Sequence, residues 1–132
     1  MATTAANTII SNTNNMLTVH TIITATDTNE GTMLQLVDKS ALVGPTAAEP
    51  TSLRLLSARW CMTGFSAVKL LHDHGTSDTT IMHLCGNGYD DFVPFGGIAD
   101  AGTGSTGDPS ATTVGASATA TADITLVFKK EG

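Results

Sequence analysis

The densest group of side chains able to do chemistry is His72-Asp73-His74, with Asp78 and His83 close behind. On a strand, His72 and His74 point the same way, and two imidazoles beside a carboxylate form a ligand set that a divalent ion accepts. The segment also reads as the tip of a hairpin, where His and Asp are ordinary exposed turn residues. The turn reading is the one adopted, so no metal ligand is assigned.

Asp90 and Asp91 invite comparison with the paired carboxylates of a glycosidase. Adjacent residues on a strand face opposite sides, so these two cannot flank one bond, and an Asx-type turn or a solvated face is expected instead. The run Gly102-Thr-Gly104-Ser-Thr-Gly107 matches the dinucleotide fingerprint G-x-G-x-x-G in its letters. It lacks the preceding strand and following helix that would bring a pyrophosphate to a helix N-terminus, and it reads as a loop. No G-x-S-x-G elbow occurs, and no residue is assigned a catalytic role. The chain is expected not to be an enzyme and to carry no cofactor.

Cys61 and Cys85 show no C-x-x-C spacing, which leaves structural zinc without support. They are expected as two buried thiols rather than a disulfide. Trp60, Tyr89, Phe92 and Phe95 are the notable aromatic group. With only 5% aromatics in the chain, most of them are needed as core, and Tyr89, whose hydroxyl tolerates water, is the first choice for a surface position.

The elements that must position these residues read as strands. Residues 16–26 alternate, with Leu17, Val19, Thr21 and Ile23 on one face. The DTNEG run at 27–31 is a turn, residues 32–38 form a second strand, and 39–51, with Gly44-Pro45 and Pro50, form a loop with room for one helical turn. Residues 52–63 carry Leu53, Leu56 and Trp60 at helical spacing, yet Leu56, Ala58, Trp60 and Met62 also alternate, and strand is preferred. Residues 66–71 and 79–85 form a hairpin around HDHGTSD, Gly86-Asn87-Gly88 breaks the pairing, and 89–95 resumes as strand. Residues 96–117 are mostly loop, with a short strand at 111–114. Ile124, Leu126 and Phe128 alternate cleanly near the C-terminus, which marks a central strand.

Short strands with turns about every ten residues predict an all-β fold, an antiparallel β-sandwich of jelly-roll type. Residues 16–132 make one domain. Residues 1–15, rich in Ala, Thr and Asn with a single apolar pair at Ile9-Ile10, are expected as a flexible N-terminal arm that orders against a neighbouring subunit.

Composition agrees. A chain of 132 residues buries roughly two-thirds of the surface its unfolded form exposes. Its 23 threonines suit a pleated, half-solvated surface. A net charge of −6, with Lys129-Lys130 as the sole adjacent basic pair, offers no cationic footprint for nucleic acid. No run approaches the roughly 20 apolar residues of a membrane helix, and the first residues lack the basic and apolar regions of a cleaved signal.

From Trp60 onward, the Trp-bearing strand, the hairpin, GNGYDDF, the GGI-x-D turn at 96–100, TGD at 106–108 and the alternating last strand ending in Lys together resemble small auxiliary capsid proteins, of the decoration or cement kind, of tailed bacteriophages. The likeness covers a little over half of the chain. It implies a virion protein, made in the host cytoplasm, that docks on the outer surface of the assembled head and bridges major capsid subunits, as a homo-oligomer such as a dimer or trimer. Ile9, Ile10, Tyr89, Phe92 and Phe95 are the interface candidates. The alternative is a carbohydrate-binding module of a tail fibre or lectin-like protein, built on a surface cluster at 89–91 and a calcium site. A third reading is a small metal-dependent enzyme at the HDH segment.

Overall fold

A computed structural model of the chain describes residues 3–74, 78–100 and 107–131. The described elements are strands β1 (Thr4–Asn12), β2 (Met16–Thr24), β3 (Leu34–Gln35), β4 (Ser52–Thr63), β5 (Ala67–Asp73), β6 (Thr79–Leu84), β7 (Asn87–Asp91), β8 (Asp108–Val114) and β9 (Thr121–Glu131), with single 3-10 turns at Lys39–Ala41 and Val93–Phe95. They form two antiparallel sheets, in the orders β1-β2-β9-β4-β7 and β3-β8-β5-β6. Apart from β1, each sheet interleaves strands from the two halves of the chain. That is the jelly-roll arrangement, in which paired Greek keys wrap one sheet over the other. None of the described helices is long and apolar enough to cross a membrane.

The alternating residues make the core. Leu17, Val19, Thr21 and Ile23 of β2 are buried, and so are Ile124, Leu126 and Phe128 of β9, which lies between β2 and β4 in the middle of its sheet. Each fully buried aliphatic side chain stabilises the fold by roughly 1.5–3 kcal/mol relative to exposure. In β4 the register shifts between Leu55 and Ser57, so Leu56 is the extra residue of a β-bulge. Leu53 and Leu55 face inward before it, and Ala58 and Met62 after it. The bulge explains why both a helical and a two-residue spacing are legible in this segment.

Several expectations are corrected. Residues 4–12 are not an arm apart from the sandwich: they pair along β2 as a nine-residue edge strand. Lys130 fastens the β1–β2 turn, its buried ammonium donating to the Asn12 side chain, to the Thr13 carbonyl at 2.6 Å and to the Val43 carbonyl at 2.9 Å. This is a long-range anchor that the low hydrophobicity of residues 1–15 does not reveal. The second strand shrinks to two residues, because Leu36 and Val37 turn their N–H groups to the Pro109 carbonyl. Strand β7 starts at Asn87, with Gly88 inside it. Gly88 is required there, because a Cβ would lie 2.5 Å from the Trp60 ring. The strand expected over 89–95 stops at Asp91 and gives way to the Val93–Phe95 turn.

Candidate functional site

Strands β5 and β6 pair as the expected hairpin, but the two histidines of the HDH segment are buried rather than exposed turn residues. His72 and His74 lie at the end of β5 with 1% and 8% of their surface exposed. Their rings, 6.4 Å apart, turn toward Asp100, which arrives from the loop after the Val93–Phe95 turn. His74 Nε2 lies 2.7 and 2.8 Å from the two carboxylate oxygens, and His72 Nδ1 is 3.3 Å from the Gly107 carbonyl and 3.7 Å from Asp100 Oδ2. Thr79 Oγ1 donates to the same carboxylate at 3.3 Å, and Asp78 accepts the His74 backbone N–H at 3.0 Å. Burial pushes the His72 imidazole below its ordinary range, and the nearby Asp100 charge partly opposes that.

The cluster therefore ties two loops onto β5. His83 does not join it: it is exposed on β6, opposite Lys69. Among the described residues, no three His, Cys, Asp or Glu side chains are placed to hold a metal ion. Residues 102–106 of the glycine-rich motif lie outside the described residues. The chain leaves Gly107 directly into β8, so no helix follows to meet a pyrophosphate. Asp90 and Asp91 lie on opposite sides of β7, and Asp91 accepts the Val93 N–H at 3.0 Å in the expected Asx-type turn.

Both cysteines are free and exposed, against the expectation of burial. Cys61 falls on the outward side of β4, whose inward side is filled by Ala58 and Met62. Trp60 is half-buried against the core, its indole N–H donating to the Cys85 carbonyl at 3.0 Å.

The interface candidates fall in three places. Ile9 and Ile10 are 53% and 60% exposed on β1, Ile9 beside a small apolar cleft with Val19, Leu36 and Leu42. Phe95, 84% exposed, and Val93 form an apolar tip on the 3-10 turn, whereas Phe92 packs partly against the core. Tyr89, 61% exposed, stands on the outer face of the five-stranded sheet.

That outer face holds an open groove of about 620 Å³ lined by residues that include Arg59, Cys61, Asn87, Tyr89, Asp123 and Thr125. Beside it, His20 Nε2 lies 2.7 Å from Asp123 Oδ1. Sequence spacing could not show this grouping, because its members come from β2, β4, β7 and β9.

No known protein family and no curated protein matches the chain. Among solved structures it is similar to a cupin domain from Bordetella pertussis Tohama I, at 8% identity over 98% of this chain and 95% of that one, with a TM-score of 0.38. It is also similar to two mutants of family 29 carbohydrate-binding modules, at 12% and 14% identity, over 96% of this chain and 93% and 87% of theirs, each with a TM-score of 0.38.

Proposed function

We propose that the chain is a virion structural protein that docks on the outer surface of a phage capsid, bridges major capsid subunits and assembles with copies of itself. The observation that carries this reading is the placement of bare apolar side chains at opposite edges of one sheet, Ile9 and Ile10 on β1 and Val93 and Phe95 just beyond β7. Solvent-exposed apolar side chains grouped on edge elements are what a docking protein buries on its partner. Edge strand β1 also contains no charge and no proline to discourage pairing with another chain. The jelly roll is a fold that viral capsid proteins use, which is fold-level analogy and adds only weight.

The test is co-sedimentation of the purified chain with undecorated capsids from its own source. Binding that saturates at a fixed ratio, and that Phe95→Ser weakens at least about tenfold, is the expected result. A chain left in the supernatant at every concentration contradicts the proposal.

The second reading is a carbohydrate-binding module. It is favoured by the exposed Tyr89 ring over the polar groove, since aromatic rings with nearby hydrogen-bonding groups are the usual means of holding a sugar face.

A further inference from the structure

The groove on the outer face is built from two rows of side chains in cross-strand register. In one row His20 of β2 faces Thr125 of β9, Thr125 faces Arg59 of β4, and Arg59 faces Tyr89 of β7. Neighbouring strands are about 4.8 Å apart, so this row spans about 14 Å. In the next row Asp123 faces Cys61, and Cys61 faces Asn87.

The charges of these rows are unequally committed. The Asp123 carboxylate is engaged by His20 at 2.7 Å. Asn87 uses its side-chain oxygen to accept the Met62 N–H at 3.3 Å, which leaves its amide N–H groups as donors. Arg59 is exposed, and its side chain makes neither an ion pair nor a hydrogen bond among the described residues. Among the described residues that line this groove, Arg59 is thus the charged side chain left without a partner. It stands beside Tyr89, which is 61% exposed.

A ligand that satisfies all of these groups needs an apolar ring face for Tyr89, hydroxyls for Asn87 and Thr125, and one planar anion for the guanidinium fork. We infer that this groove binds an acidic saccharide, with the sugar carboxylate on Arg59 and the sugar ring stacked on Tyr89. The inference rests on the carbohydrate-binding reading and names its substrate class. A nucleic acid meets the same two groups less well: a single arginine neutralises one phosphate of a polyanion that the rest of the acidic chain repels. The overall negative charge is less adverse to one carboxylate, because charges farther than about 8 Å are largely screened at physiological salt.

The test places the intact chain on an array carrying uronate- and sialate-terminated glycans, their methyl esters, neutral glycans and a single-stranded oligonucleotide. Acidic glycans should bind at least about tenfold more tightly than their methyl esters, the range of one charge-assisted pair. Arg59→Gln should erase that preference. Tyr89→Ala should abolish binding while Tyr89→Trp restores it, with unchanged melting curves showing that each variant is folded. Equal binding of acids and esters would overturn the acidic preference and leave the carbohydrate reading standing. Binding of no glycan would overturn both. Preference for the oligonucleotide, or glycan binding indifferent to Tyr89→Ala, would place the activity elsewhere and overturn the inference.

Discussion

Two histidine–aspartate pairs in this molecule have the same length and opposite surroundings. His74 and Asp100 meet at 2.7 Å with side chains 5% and 4% exposed, whereas His20 and Asp123 meet at 2.7 Å with side chains 30% and 61% exposed. In the first pair neither group can turn to water if the other is removed, so the contact belongs to the fold. In the second, water replaces either partner, so the fold does not depend on the contact. Chemical type and distance alone do not separate a structural tie from a solvated surface contact. Burial does.

The largest effect that tests this contrast is Asp100→Ala. It strips the carboxylate from a buried imidazole, and breaking one side of a buried pair costs about 3–5 kcal/mol. Urea unfolding should show that loss, and a change under about 1 kcal/mol would place the pair on the solvated side of the comparison. Acid sharpens the contrast next. Burial lowers the His72 value from its ordinary 6.5, so the unfolded chain takes up this proton more readily than the folded one. The stability this residue contributes is therefore complete above pH 6.5 and is lost as the pH falls from there through the lowered value. The urea midpoint should drop between about pH 7.5 and pH 5, and His72→Asn should flatten that drop.

Smaller effects belong to the outer face. Asp123→Ala should change stability by about 0.2–1 kcal/mol, the range of exposed ion pairs, as read from the same unfolding curves. Tyr89→Ala, at a ring 61% exposed, should stay within about 0.5 kcal/mol. A large loss from either would show that the groove is part of the fold's support rather than a free surface.

The strands were legible in the sequence wherever one face is buried and the other wet. Leu17, Val19, Thr21 and Ile23, and again Ile124, Leu126 and Phe128, announce their inward side by simple alternation. Strand β4 was legible as a strand and in phase from Ala58 to Met62, but not before that, because a bulge at Leu56 resets the alternation and turns Leu53 and Leu55 inward without changing composition. The edge strand β1 escaped, since both of its faces are largely exposed and its anchor is a lysine 118 residues away from Asn12. Tyr89 was legible as the aromatic most tolerant of water. Its neighbours were not: Arg59, Asn87 and Asp123 meet only through strand pairing, and the Asp100 that holds His74 lies 26 residues along the chain.

The central claim, that bare apolar groups at the edges of this jelly roll dock it on a capsid, is tested most directly by electron cryo-microscopy of undecorated capsids before and after saturation with the purified chain. The account predicts added density at symmetry-related positions on the outer surface, with the Phe95 tip or the Ile9–Ile10 edge turned toward the shell. Identical maps with and without the chain, or added density in which both apolar edges face solvent, would contradict it.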